Sequence, residues 1–415
     1  MSTLRCDVAI AGGGLVGASL ALALAQLDLD VVLIEARPFD VVDHPSFDDR
    51  TTALSNGSRR IFEGLDVWPL IEREATAIRR IHVSERGRFA FARIDAAEQG
   101  LTALGYVVVN RIMGAALWRR LQRSSVRILA PARVTAMTLE ADHRRIECVC
   151  GERGASLIHA KLAIAADGAR SVVREAAGVG ASGWSYEQTA LIANVAVQRH
   201  HDHVAYERFT PAGPIALLPL SEGRLGLVWT LAPQAAQQIA QASDEQFLAR
   251  LQSEFGFRLG RFTRVGARNL YPLALTRSDE HIAPRLAVVG AAAQSLHPIA
   301  GQGFNLGLRD AASLAEVLAD ARIAASGPFD PGDGLLLNRY REWRSSDRQR
   351  IVRFTDGLVR LFRQPFAPVR AARSLGMLAF DLLPQAKDAL SQLSLGAAGR
   401  VPRLARGAPL LTAPP

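Results

Sequence analysis

The stretch Cys6-Asp7-Val8-Ala9-Ile10-Ala11-Gly12-Gly13-Gly14-Leu15-Val16-Gly17, with Val31-Val32-Leu33-Ile34-Glu35 after it, decides the fold. Residues 6–11 read as a buried strand, and the glycines that follow satisfy G-x-G-x-x-G. A helical stretch runs through Ala18, Leu20, Leu24 and Leu27, and a second apolar strand ends in Glu35. Gly12 permits the tight turn out of the strand, Gly14 lets a pyrophosphate approach the backbone, and Gly17 lets helix and strand pack closely. The helix N-terminus offers free N–H groups and partial positive charge to phosphates. Glu35 sits where it can accept hydrogen bonds from an adenosine ribose. A lone glycine motif is weak; strand, glycines, helix, strand and acid in this order supply the context that confirms it. The fingerprint does not choose NAD over FAD.

Two later strands end in comparable turns. Leu162-Ala163-Ile164-Ala165-Ala166 runs into Asp167-Gly168-Ala169-Arg170-Ser171, with Arg174 shortly after. Taken alone, this is as well read as an Asx turn capping a helix over 171–177. Leu286-Ala287-Val288-Val289-Gly290 leads through Gln294, His297 and Pro298 to Gly301-Gln302-Gly303-Phe304-Asn305, and a helix is expected from about Leu306. Gly301 and Gly303 free the backbone ahead of that helix, whose N-terminus again suits an anion. Backbone N–H groups around Gly303 to Asn305 are placed to stabilise negative charge on a reduced flavin.

The 415 residues are 49% hydrophobic and 21% charged, an ordinary globular balance with length for two or three structural units. No uninterrupted apolar run reaches the length of a transmembrane helix. The N-terminus lacks a secretory pattern, so the chain is expected to stay in the cytoplasm. The net charge of +9 is carried by scattered arginines, without the clustered basic and aromatic pattern of a nucleic-acid site. Three cysteines, Cys6, Cys148 and Cys150, are too few for a disulfide framework. Cys148 and Cys150 lie on an expected strand, 146–150, and are read as facing opposite sides of it, which argues against a shared metal site. His200-His201-Asp202-His203 is read as a polar loop, and no metal is expected.

In this order and spacing the three signatures resemble the aromatic-ring hydroxylase flavoproteins of the para-hydroxybenzoate hydroxylase type. Asp49 to Ser55, Gly57-Ser58, Val67-Trp68-Pro69 and Leu296 to Gly307 narrow the resemblance to the ubiquinone-biosynthesis hydroxylases, with Gln294 pointing to one branch of them. The resemblance implies FAD bound across the first and third signatures, with Asp167 and Gly168 serving both FAD and the passing NAD(P)H. It places Arg111 near the flavin and Pro298 close to the isoalloxazine ring. His297 is left between two roles, acting on a phenol proton or bracing the loop. The reaction it implies uses NAD(P)H and O2, forms a flavin hydroperoxide and hydroxylates a polyprenylated phenol. A ubiquinone-biosynthesis protein complex is an implied partner. One position departs from the pattern: Ala291 stands where the family usually has Asp, contacting the flavin ribityl chain.

The expected architecture is α/β. A discontinuous Rossmann-like, glutathione-reductase-like FAD-binding domain (1–75, 98–180, 266–360) carries a mixed or antiparallel β-sheet substrate domain (76–97, 181–265) and a C-terminal helical segment (361–415). Leu217, Leu218, Pro219 and Trp229 are candidates for lining the substrate cavity, against the alternative that they form core under the sheet. The tail from Arg363 to Arg406 holds seven basic residues against two acids, with Leu375, Leu378, Leu382 and Leu383 on one helical face. Either it packs on the FAD domain or, as the implied polyprenyl substrate favours, it meets a membrane surface or partner, the inner membrane surface being the expected location.

Overall fold

The computed structural model describes residues 2–38, 50–88, 90–151, 154–295, 301–363 and 399–411. The chain opens with β1 (Ser2–Ala11), α1 (Leu15–Ala25) and β2 (Val31–Ile34). Then come β3 (Thr51–Ser55), α2 (Asn56–Gly64), α3 (Trp68–Ile71), β4 (Thr76–Ile78), β5 (Arg80–Glu85), β6 (Phe91–Asp95), β7 (Gly105–Val109) and α4 (Asn110–Leu121). Next are β8 (Arg127–Leu129), β9 (Arg133–Leu139), β10 (Arg144–Cys150), β11 (Gly154–Ala165) and α5 (Val172–Ala176). A mostly β region follows: β12 (Ala181–Val197), β13 (Val204–Thr210), β14 (Gly213–Pro219), β15 (Arg224–Leu231), α6 (Pro233–Gln241), α7 (Asp244–Phe255), β16 (Phe262–Val265) and β17 (Asn269–Ser278). The chain ends with β18 (Ile282–Ala283), β19 (Leu286–Val288), β20 (Gln294–Ser295), α8 (Gln302–Ala324), α9 (Gly334–Arg363) and α10 (Arg403–Arg406).

Three sheets result. The first has the order β18-β19-β11-β1-β2-β8, with β10 and β9 branching from β11. Its centre, β19-β11-β1-β2-β8, is parallel. Such strands are covered on both faces, which is why they read as unbroken apolar runs rather than alternating ones. The sheet separates two apolar clusters, one under α1, α4 and α8, the other holding Cys6, Cys148 and Cys150 beside Ile146 and Ile158. Cys148 and Cys150 therefore share a face, as residues two apart on a strand must, correcting the expectation that they oppose. Burial pushes the thiols of Cys6 and Cys148 up to about 12, so they are inert apolar fillers. Among the described residues no three side chains are grouped to hold a metal.

The second sheet is nine-stranded, in the order β20-β17-β12-β15-β14-β13-β5-β6, with β16 paired to β12. It takes in β17 and β20, beyond the 181–265 stretch that the change of pattern marks out. One face is sealed by α6 and α7 over Leu191, Leu217, Leu227 and Trp229. Trp229 stacks edge-on against Phe247 of α7, so Leu217 and Trp229 are core, and only Leu218 of that set faces the other side. The small sheet β3-β7-β4 bridges the two larger ones. His201 of the polar loop bonds to the carbonyl of Leu220, just past β14, and His203 to that of Ala77 in β4, which ties the start of β13 to that bridge.

The last described segment folds back. Leu404 packs on Gly64 of α2, and Arg403 pairs with Glu316 and Asp320 of α8. Arg400 also reaches Glu316. Two of the seven basic residues of the tail are thus spent inside the protein. The leucine-rich stretch between them and α9 lies outside the described residues. Among the described residues no helix is long and apolar enough to cross a membrane.

Candidate active site

The carboxyl ends of the parallel strands come together through one chain of backbone hydrogen bonds. Gly12 N donates to Ile34 O, Ala166 N to Ala11 O, and Val289 N to Ala165 O, each 2.8–3.0 Å. The crevice beyond such strand ends, where the order reverses about β1, is where doubly wound sheets bind ligands.

The glycines are required by close approaches. A Cβ on Gly12 would stand 2.4 Å from Ala166 O, at a φ of +104° that side chains avoid. One on Gly17 would stand 1.9 Å from Gly12 O. Gly307 meets the Cα of Gly290 and the side chain of Val16, pressing the start of α8 onto the first glycine loop. Arg174, almost fully buried, donates from Nη1 to Ala292 O at 3.0 Å and ties the turn after β11 to the turn after β19. The three signatures, spread over some 300 residues of sequence, are therefore one site.

Glu35 is anchored there, accepting from Gly13 N at 2.6 Å and Arg37 N at 2.9 Å. A carboxylate has about four acceptor positions, a number that suits ribose hydroxyls as further donors. Gly14 caps α1 and Gly301, in left-handed conformation, caps α8. Neither helix has a side-chain cap or an acid in its first turn. Both termini carry the partial positive charge that suits an anion.

Other residues have different work. The Asp167 carboxylate accepts from the Ser171 hydroxyl and from Val173 N, so it does cap α5. Burial raises its pKa, and the Ser171 hydrogen bond offsets part of that rise. Gly168 takes a φ of +90° with open space where a Cβ would be. Asn305 accepts from Ser55 N and Ser58 Oγ, and donates to Ala53 O and Gly301 O, all within 3.0 Å. Its side chain is fully occupied as a brace between β3, α2 and α8, leaving only its backbone for a cofactor. The helix starts at Gln302, four residues before the expected position, so Gly303 and Asn305 lie within its first turn. Arg111 is exposed at the start of α4. His297 and Pro298 lie outside the described residues.

A model of the FAD binding domain matches residues 5–355. The chain belongs to this FAD-binding family. It is similar to ubiquinone hydroxylase UbiL of Rhodospirillum rubrum, 39% identical over 97% of this chain and 93% of that protein. It is also similar to the 3-demethoxyubiquinol 3-hydroxylase of Escherichia coli, 34% identical over 95% of this chain and all of the relative. Among solved structures, p-nitrophenol 4-monooxygenase PnpA of Pseudomonas putida shares the fold, with a TM-score of 0.78 at 20% identity over 96% of this chain and all of that one.

Within this family the site fits its cofactor. The Gly12–Gly17 cradle and the α1 terminus would hold the pyrophosphate, Glu35 the ribose, and the α8 terminus the flavin end. The protein is an FAD-dependent monooxygenase, with NAD(P)H as the electron donor of its class.

Proposed function

We propose that this chain hydroxylates the ring of a polyprenylated phenol in ubiquinone biosynthesis. FAD, once reduced by NAD(P)H, supplies the chemistry that activates O2. What the protein adds is orientation and a water-poor cavity. The observation that carries the reading is that β20, inside the third signature, is itself the edge strand of the nine-stranded sheet, paired to β17, so a ring lying on that sheet borders the flavin site. The named relatives support the pathway, and Gln294 favours the 2-octaprenyl-6-methoxyphenol hydroxylase branch.

The test is oxygen uptake by the FAD-loaded protein with NAD(P)H, comparing a prenylated 2-methoxyphenol with a small soluble phenol such as 4-hydroxybenzoate. Labelled O2 should place one oxygen atom on the prenylated ring. Uptake driven only by the soluble phenol would overturn the substrate class. A protein that binds no flavin would overturn the enzyme and favour a non-catalytic place in a biosynthetic assembly.

Ala291 bears directly on that last point. It is exposed in the turn over 290–292 and has no group for a ribityl hydroxyl. Ala291→Asn is expected to tighten FAD binding about fivefold, one neutral hydrogen bond being worth roughly 1 kcal/mol. Flavin fluorescence titration of the apoprotein reads this, and an unchanged affinity would mean that another group already serves the ribityl chain.

A further inference from the structure

The face of the nine-stranded sheet turned away from α6 and α7 carries three neighbouring rows of side chains. The first, Ile81, Ala205, Leu218 and Gly226, rests on the bridge sheet: Ala205 and Leu218 pack with Ile78 and Val107, and Gly226 lies against Thr51. The third includes Phe209, which packs with Leu273 and with Val352 of α9. Between them runs a row across five strands: Val83, Glu207, Ala216, Val228 and Ile192. Every member of this middle row is partly exposed, while the residues beside them on the helix face, Leu217, Leu227 and Leu191, are buried. A strip that stays partly open in the middle of a sheet, closed at one end where Val83 packs on the Phe209 cluster, is the floor of a hollow.

That hollow borders the flavin site. Thr51 and Ala53, two apart on β3, touch the sheet at Gly226 and the third signature at Gly301. The floor is apolar except for one carboxylate. The Glu207 side chain makes no hydrogen bond or ion pair among the described residues. Charged groups on neighbouring elements are Glu85, beside Phe209 in the third row, Arg50 over the Tyr271 ring, and Arg348, Arg353 and Asp356 about Val352 on α9.

We propose that Glu207 is the group in this hollow that receives the hydroxyl of the phenol substrate and accepts its proton. This rests on the phenol-hydroxylating reading above. The phenol O–H bond breaks, a carboxyl O–H bond forms, and the electron pair stays on the phenolate oxygen, where it enriches the ring that is to be hydroxylated. No oxidation state changes in this step. An unpartnered carboxylate in an apolar wall otherwise costs stability with no return. Burial pushes its pKa up to about 7, where it gains and loses a proton at working pH, as a general base should.

The test uses the FAD-loaded protein and two probes at about pH 8.5, where Glu207 is charged: geranyl-substituted 2-methoxyphenol, un-ionised there, and 4-nitrophenol, ionised there. Binding is read from the flavin absorption change, and so does not depend on turnover. Glu207→Gln should weaken the methoxyphenol tenfold or more, the range for a hydrogen bond to a charged group. The same change should tighten the nitrophenolate, because the like charge facing it is gone. Loss of packing would move both probes the same way, and that result, or no change in either, would overturn the proposal. In the wild type, methoxyphenol binding should tighten as pH rises through about 7, a result that needs no variant to fold. Glu207→Asp should keep this pH dependence with weaker binding. A wild type that binds the methoxyphenol without hydroxylating it would overturn the reaction assigned above, while the same titrations still decide whether Glu207 meets the hydroxyl.

The carboxyl also predicts a stability trend. Its folded pKa lies above the ordinary glutamate value of about 4.3, so the stability it contributes is complete below that pH and is lost as pH rises through about 7. Thermal unfolding of the wild type should therefore fall behind Glu207→Gln over this window. Parallel curves would place the carboxylate in open water and overturn the hollow.

Discussion

Asp310→Asn is expected to destabilise the protein by about 3–5 kcal/mol, the range for removing one partner of a buried ion pair. Asp310 has no exposed surface and lies in α8 between Arg309 and Ala311. Arg344 of α9, equally buried, donates to it from Nε at 2.7 Å, and Arg348 donates at 3.2 Å. Asp347 completes the group by pairing with Arg309 at 2.9 Å. Three guanidiniums thus share two carboxylates, and removing either acid leaves buried positive charge without an answer. Burial alone would raise the Asp310 carboxyl, but Arg348 and Arg344 outweigh it and hold it below the usual range. Its contribution is accordingly present above the ordinary carboxylate pKa and is lost only as pH falls below it.

The damage should reach the cofactor as well. Gln294, the first residue of β20, donates from Nε2 to Asp310 Oδ2 at 3.5 Å, an oxygen that Arg348 also reaches at 3.3 Å, so the cluster steadies the strand that leads into the flavin loop. Denaturant unfolding and FAD affinity should therefore worsen together. Asp66→Asn is the control: its ion pair with Arg120 is exposed, and such pairs are worth about 1 kcal/mol or less. Equal effects from the two substitutions would show that the buried cluster adds nothing beyond a surface pair.

What could be read in the sequence follows from how local the physical cause is. The glycines of residues 12–17 announce themselves because each answers a steric demand within its own turn. The second and third signatures were weaker alone, since an acid after a strand serves a helix cap equally well, and Asp167 does cap α5. The brace made by Asn305 joins residues about 250 apart, and no local pattern encodes that partner. In β14 and β15 the alternation was visible, but both faces carry apolar residues, so parity alone did not tell which set α6 and α7 would cover. Leu217 and Trp229 went to the helices for that reason. Glu207 is not singled out by the sequence alone, because a single acid in a strand usually faces water. Its signal was its place between Ala205 and Phe209, two apolar residues on the same face of the strand. Asp310 carries a comparable signal, an acid beside Arg309 among the leucines and alanines of 306–318, in a helix buried almost all round.

Gly17→Ala is expected to lower FAD affinity by at least a hundredfold, or about 2.7 kcal/mol, and to weaken the fold with it. The added carbon would meet the carbonyl oxygen of Gly12 at 1.9 Å and the Cβ of Ala166 at 3.2 Å. Both obstacles are backbone or stubby groups just past the ends of packed strands, so relief must come from moving α1 off the sheet. Overpacking of this kind costs about 1–3 kcal/mol, and the helix N-terminus that faces the pyrophosphate moves with it. Gly12→Ala should be as severe, since it adds a left-handed φ to a 2.4 Å clash. Gly303→Ala separates packing from cofactor approach. Among the described residues nothing lies within 4 Å of where its Cβ would stand, and it occupies the first turn of α8. Alanine there should leave thermal stability unchanged or slightly raised, because it favours helix over glycine. If the open space above Gly303 is where the flavin approaches the backbone, the same variant should nonetheless bind FAD more weakly. A Gly303→Ala protein of full stability and full FAD affinity would move the flavin away from the α8 terminus, leaving the Gly12–Gly17 cradle as the anchor of the cofactor.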